Sequence, residues 1–183
     1  KNIKTDELIT LTRGGKNMSK EENLKEAFAG ESQANRTYLA FAKKAEEDGF
    51  KQVAKLFRAA ADAETIHAHN HLRVLGGVKS TEENLQEAVN GETHEFTEMY
   101  PKMIEEAEKE GNQGALISFK GAIHAEEIHA ALYKKALESV KTGTDLDEKE
   151  IYVCQVCGHT VEDGAPDSCP VCNAPQEKFN KIE

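Results

Sequence analysis

Apolar residues recur every three or four positions along four long segments of the chain, which predicts four amphipathic helices. The first opens with a capping box, Ser19-x-x-Glu22, and stops at Gly49. Leu24, Phe28, Glu31, Tyr38 and Ala42 fall on its inward stripe. The second runs from about Phe50 to Leu75 and is stopped by Gly76-Gly77, with Val53, Leu56, Phe57, Ala60, Glu64 and His67 facing inward. The third begins with a second capping box, Ser80-x-x-Glu83, and reads as one helix to Gly111. Its stripe is Leu85, Val89, Glu92, Phe96, Met99, Met103 and Ile104. The fourth, about Gly114 to Val140, carries Leu116, Phe119, Ile123, Glu126, Ala130, Tyr133 and Leu137.

Four long helices with short loops predict a mainly α chain built on a four-helix bundle. The connection from Gly76 to Ser80 is too short for a crossover unless that helix pair is exchanged between two subunits. Beyond residue 141 the pattern changes. Residues 142–149 are polar and charged and read as a linker; residues 150–183, with short apolar runs, glycines and three prolines, read as a small loop-rich module. The expected domains are therefore a bundle over 18–141, a linker over 142–149 and a module over 150–183. Residues 1–17 join none of these patterns and read as an extension outside the fold, with Met18 the expected native start.

Composition narrows the function classes. The chain is 31% charged, has no Trp and only 4 Pro, as expected of a helical, soluble protein. A net charge of −10 and the lack of a basic stripe exclude an electrostatic nucleic-acid binder. No run approaches the ~20 apolar residues of a membrane span. The stretch Lys1–Met18 lacks the apolar core of a secretory signal. All 4 cysteines lie between residues 154 and 172 as two CxxC pairs, which fits a metal site in a reducing cytoplasm better than a disulfide framework.

The candidate chemistry lies in an internal repeat. Ala27–Glu31 aligns with Ala88–Glu92, and Ala63–His67 with Ala125–His129. The result is Glu31, then Glu64-x-x-His67, then Glu92, then Glu126-x-x-His129, one unit per helix. Residues i and i+3 share a helix face, so each Glu-x-x-His presents both groups together. A single Glu from each of two helices plus Glu-x-x-His from the other two is the ligand pattern of ferritin-like di-iron or di-manganese proteins. Carboxylates on apolar stripes also demand a cation: Glu31, Glu64, Glu92, Glu95 and Glu126 unpaired in a core would each cost several kcal/mol. Glu95 follows Glu92 by three residues and reads either as a further ligand or as a solvated helix edge. Tyr38 and Tyr100 lie about two turns beyond Glu31 and Glu92. They read as core aromatics or as phenols hydrogen-bonding a ligand carboxylate. His69, His71, His94 and His124 read as surface or packing residues.

Cys154-x-x-Cys157 and Cys169-x-x-Cys172 form two knuckles, a strong pattern for tetrahedral all-thiolate binding. A module this short needs such a staple to fold. Spacing alone admits zinc, which would make the module scaffolding, or iron, which would make it a one-electron carrier.

Together, Gly30-Glu31-Ser32-Gln33-Ala34, Glu64-x-x-His67, Gly91-Glu92-x-x-Glu95 leading to Met99-Tyr100-Pro101, Ala125-Glu126-x-x-His129 and the two knuckles resemble the rubrerythrin family over about residues 20–183. The resemblance implies a ferritin-like bundle followed by a rubredoxin-like domain. It implies an oxo- and carboxylate-bridged di-iron site and one iron on Cys154, Cys157, Cys169 and Cys172. Glu64 and Glu126 would bridge the irons, Glu31 would cap one, and Glu92 with His129 the other. Glu95 and His67 would exchange at the first iron. It also implies reduction of hydrogen peroxide in oxidative-stress defence, in a homodimer that in some members exchanges helices. The electrons would come from a donor such as rubredoxin or an NAD(P)H-dependent reductase. The competing expectations are a ferroxidase and an iron-binding electron-transfer protein, with zinc admissible in either site.

Overall fold

The computed structural model describes residues 19–183, so the expected extension and the expected start at Met18 lie outside the described residues. The chain contains the elements of a ferritin-like bundle followed by a rubredoxin-like domain: long helices, then a small sheet bearing four cysteines. It divides into two compact units between Val78 and Lys79.

The first unit is a pair of helices, α1 (Lys20–Glu47) and α2 (Lys51–Val74). Ser19 caps α1 through the predicted box, accepting from the Glu22 amide at 3.1 Å while its own amide donates to the Glu22 carboxylate at 2.7 Å. Between the helices Gly49 takes a positive φ of 85°, a conformation open to glycine at little cost. Ala42, Ala45, Ala54, Ala61 and Ala68 are the buried residues of the pair, and their small side chains allow close approach. Asn35 bridges the helices, donating to the Ala61 carbonyl at 2.7 Å and to the Thr65 hydroxyl at 2.8 Å. Val53 and Leu56, expected on the inward stripe, are exposed within this unit, as are Leu39, Phe41 and Ile66. One pair of helices has one seam. The alanines fill it, and the larger apolar residues flank it.

The second unit holds the remaining helices and the module. The third predicted helix is interrupted. It runs as α3 (Thr81–His94), a π-helical turn over Glu95–Met99, and α4 (Tyr100–Glu110). The physical reason is at hand in Pro101, which has no N–H for the ladder, so the preceding turn widens to five-residue bonds. Thr97 takes up slack by donating its hydroxyl to the Thr93 carbonyl at 2.6 Å. Met103, expected inward, is exposed on α4. α5 (Gln113–Lys141) starts at Asn112, whose side chain accepts from the Ala115 amide, and packs on both α3 and α4.

The module is a three-stranded antiparallel sheet in the order β2–β1–β3, with β1 Ile151–Cys154, β2 Thr160–Glu162 and β3 Phe179–Ile182. Cys154, Cys169 and Ala174 form its core, with Val171 and Phe179 against them. Among the described residues, no helix is long and apolar enough to cross a membrane.

Candidate metal centres

Three clusters of ligand-type side chains are present among the described residues, each with its donor atoms within 4.8 Å of one another. In the first unit, Glu31 on α1 meets Glu64 and His67 on α2. His67 Nδ1 lies 2.8 Å from Glu64 and 3.9 Å from Glu31. The imidazole, with Glu31 close by, holds Glu64 below the usual carboxylate range. His67 itself is half exposed.

The second unit repeats the arrangement with Glu92 on α3 and Glu126 and His129 on α5. His129 Nδ1 lies 2.8 Å from Glu126 and 3.8 Å from Glu92. This cluster is less exposed than its counterpart. Burial, then the neighbouring Glu126 carboxylate, pushes Glu92 up to about 7. Two carboxylates and an imidazole converging at one half-buried place form a hard, anionic donor set, which fits a divalent metal ion.

The other predicted residues fall around these clusters. Glu95 sits in the π turn. Its carboxylate is not in the Glu92–Glu126–His129 donor cluster, but its charge acts on Glu92 and on Tyr100. Tyr100 is raised above an ordinary phenol by burial and by Glu126, Glu95 and Glu92, so it stays protonated beside the carboxylates; its ring lies 6.2 Å from Phe119. Tyr38 joins an aromatic cluster with Phe41 and Phe57, at centroid distances of 6.5 and 6.1 Å. His69, His94 and His124 are exposed and His71 is half-buried.

The third cluster is Cys154, Cys157, Cys169 and Cys172. Sulfur pairs stand 3.7 Å apart (Cys154–Cys172) and 3.6 Å apart (Cys157–Cys169). Those separations are far too long for disulfides and close to the edge, about 3.8 Å, of a tetrahedron with metal–sulfur bonds of about 2.3 Å. The thiols are not equivalent. Burial raises Cys157 and Cys172. Burial also opposes ionisation of Cys169, but the amides of Cys172 and Val171 outweigh it and bring this thiol down to about 7. Each knuckle ends in a residue of positive φ, Gly158 at 81° and Asn173 at 59°. Glycine takes that conformation at little cost, and asparagine is one of the few other residues that visits it readily.

A fourth feature carries no sequence signal at all. The first knuckle rests on α5, where a Cβ added to Gly121 would stand 3.4 Å from Cys157 Cβ, and one added to Gly158 would stand 3.6 Å from Ala125 Cβ. Next along the same helix face, His129 Nε2 is 2.9 Å from the hydroxyl of Thr160 on β2. Gly121, Ala125 and His129 are spaced i, i+4, i+8 and so share one face of α5, but nothing in the sequence named what meets that face.

Comparison with known proteins agrees with this inventory. Residues 22–137 match the rubrerythrin family and residues 152–180 match the rubredoxin-like domain of rubrerythrins. Rubrerythrin-2 of Clostridium acetobutylicum is 36% identical over 178 residues, which cover 90% of this chain and 97% of that protein. Nigerythrin of Nitratidesulfovibrio vulgaris is 35% identical over 172 residues, covering 86% of this chain and 84% of its own. The solved structure of fully reduced, all-ferrous nigerythrin aligns with a TM-score of 0.53 at 32% identity, covering 94% of this chain and 91% of that one.

Proposed function

Because the chain belongs to the rubrerythrin family of iron proteins of oxidative-stress defence, we propose that it is a hydrogen peroxide reductase. The reaction is H2O2 + 2e− + 2H+ → 2 H2O. The observation that carries the reading is the coexistence in one chain of two Glu/Glu/His clusters and a four-thiolate cluster.

In this proposal a complete di-iron site takes Glu31, Glu64 and His67 from one α1–α2 pair, and Glu92, Glu95, Glu126 and His129 from one α3–α5 pair. Bound there, two ferrous ions would supply Lewis acidity and two electrons, and Cys154, Cys157, Cys169 and Cys172 would hold an iron able to return electrons one at a time. The protein's side chains do the rest. Glu64 and Glu126 would be ligands shared between the two ions, and Glu31, Glu92, His67 and His129 would each hold one of them. Before metal binds, Glu92 holds a proton up to about neutral pH, and that proton leaves when the carboxylate becomes a ligand. Glu95, on the widened turn and outside the donor cluster, is suited to carrying protons in and to exchanging with His67 as a ligand. Tyr100, kept as the neutral phenol, offers a donor to the carboxylates; Tyr38 holds the corresponding place on α1.

The donor of electrons is a rubredoxin-type protein or an NAD(P)H-dependent reductase. The assembly is a homodimer. The exposed Leu39, Phe41, Val53, Leu56 and Ile66 of the first unit supply an apolar face for helix exchange with a second copy.

Anaerobically reduced protein carrying about three irons per chain should reoxidise far faster with peroxide than with air in stopped-flow mixing. Reoxidation by peroxide no faster than by air would count against the proposal. Rapid catalytic turnover of added ferrous iron with oxygen would favour a ferroxidase.

A further inference from the structure

The hydrogen bond between His129 and Thr160 has a direction that the neighbouring atoms decide. The Thr160 hydroxyl donates to the Gly158 carbonyl at 3.2 Å, which uses its only proton. Its oxygen is then the acceptor for His129 Nε2 at 2.9 Å, so the imidazole carries its proton on Nε2. Nδ1 then faces Glu126 Oε2 at 2.8 Å and Glu92 at 3.8 Å, and its lone pair is free there whenever the ring is neutral. Lone pairs that close repel unless a cation or proton stands between them.

Thr160 is fixed for this task. It is one of the buried polar residues of the chain, at 8% exposure, and lies at the start of β2, paired with Val153 of β1. The knuckle that supplies the Gly158 carbonyl is seated on α5 through the close approaches at Gly121 and Ala125. Beside the bond is a cavity of about 330 Å3 walled by Leu85, Leu132, Leu146 and Ile151, and its charged side chains, Lys135 and Glu162, are paired with each other.

We propose that Thr160 is a positioning residue for the metal centre. From the four-cysteine module, it holds His129 of the same chain in the Nε2–H tautomer with Nδ1 aimed at the metal. The inference rests on the reading that Glu92, Glu126 and His129 bind iron. It adds that the module is part of what makes that site bind. Its orientation of a ligand is separate from any service as an electron carrier, and it acts in cis, because Thr160 and His129 belong to one compact unit of one chain. Outer partners of ligating histidines typically contribute about 10–100-fold to metal affinity.

The test compares full-length wild type, Thr160→Val and Thr160→Ser, loaded anaerobically with ferrous iron and titrated with a ferrous chelator. Iron on the thiolates is followed separately by ferric-thiolate absorption after oxidation. Thr160→Val should give up carboxylate-site iron at about 10–100-fold lower chelator activity, Thr160→Ser should restore retention, and the thiolate band should stay unchanged. In the zinc-loaded proteins the His129 Nε2 proton should exchange with solvent at least about tenfold faster in Thr160→Val than in the other two. Equal retention by wild type and Thr160→Val overturns the inference, as does a loss that serine does not repair or an exchange rate that valine leaves unchanged. If valine unfolds the module, shown by loss of the thiolate band, Gly121→Leu decides. It leaves Thr160 and His129 intact but forces the Cys157 knuckle off α5, and unchanged iron retention in that variant overturns the inference. Wild type that holds iron only on its thiolates would instead sink the functional reading, and this inference with it.

Discussion

Burial and the adjacent Glu126 hold Glu92 up to about 7, so near neutral pH a proton and a metal ion compete for it. The sign follows from which state keeps the proton. The folded, metal-free chain retains it between the ordinary glutamate value and about 7, so this group favours folding less as pH rises through that window and not at all above it. Metal needs the ionised form, so affinity moves the other way. Zinc affinity of the Glu92–Glu126–His129 site, measured by competition, should fall by up to about tenfold per pH unit as pH drops below 7, and Glu92→Gln should flatten that slope. A second expectation at this scale concerns Asn173, at a φ of 59°. Asn173→Gly should leave thermal unfolding of the module nearly unchanged, whereas Asn173→Val should destabilise it by about 1–3 kcal/mol, because a β-branched residue resists that conformation.

Helix ends and helix irregularities follow local chemistry that can be varied one element at a time. The capping box of α3 is reciprocal: the Glu83 amide donates to Ser80 Oγ at 3.3 Å and the Ser80 amide donates to Glu83 at 3.2 Å. Ser80→Ala should cost about 0.5–2 kcal/mol in chemical denaturation, with iron stoichiometry preserved, since the cap lies three turns from Glu92. Both boxes were readable as Ser-x-x-Glu because the motif and its hydrogen bonds lie within one turn. The π turn was not read, although its cause, Pro101, stands in the sequence. Val89, Phe96, Met99 and Met103 keep regular helical spacing in the sequence straight through the turn, so nothing there marked the added residue, yet beyond it Ala107 is buried and Met103 exposed. Its consequence falls on Glu95, which shares a face with Glu92 in a regular helix but here stays outside that residue's donor cluster.

Across the whole molecule the ligands divide evenly, one Glu/Glu/His cluster in each compact unit. The large apolar residues of the first unit face away from its alanine seam. Leu56, at 69% exposure, is the clearest case. If a second copy covers that face, burying one leucine contributes about 1.5–3 kcal/mol, and a charge in its place reverses the sign. Leu56→Glu should therefore shift the chain from dimer toward monomer in sedimentation, by at least about tenfold in dissociation constant, and should lower carboxylate-site iron in parallel. A variant that stays dimeric and fully loaded would place the interface elsewhere.

The sequence by itself determined what depends on short separations along the chain: helix starts, the pairing of Glu64 with His67 and of Glu126 with His129, and the two knuckles. In each, three residues of regular backbone put the donor groups side by side whatever the rest of the chain does. Tertiary structure decided which side chains from distant segments met. It brought Thr160 to His129 across 31 residues, seated a knuckle on Gly121 and Ala125, and left Val53, Leu56 and Met103 exposed where a stripe had placed them inward. Periodicity records which face of a helix is apolar. It holds no record of what covers that face, because that depends on packing between segments whose relative positions no local interaction fixes.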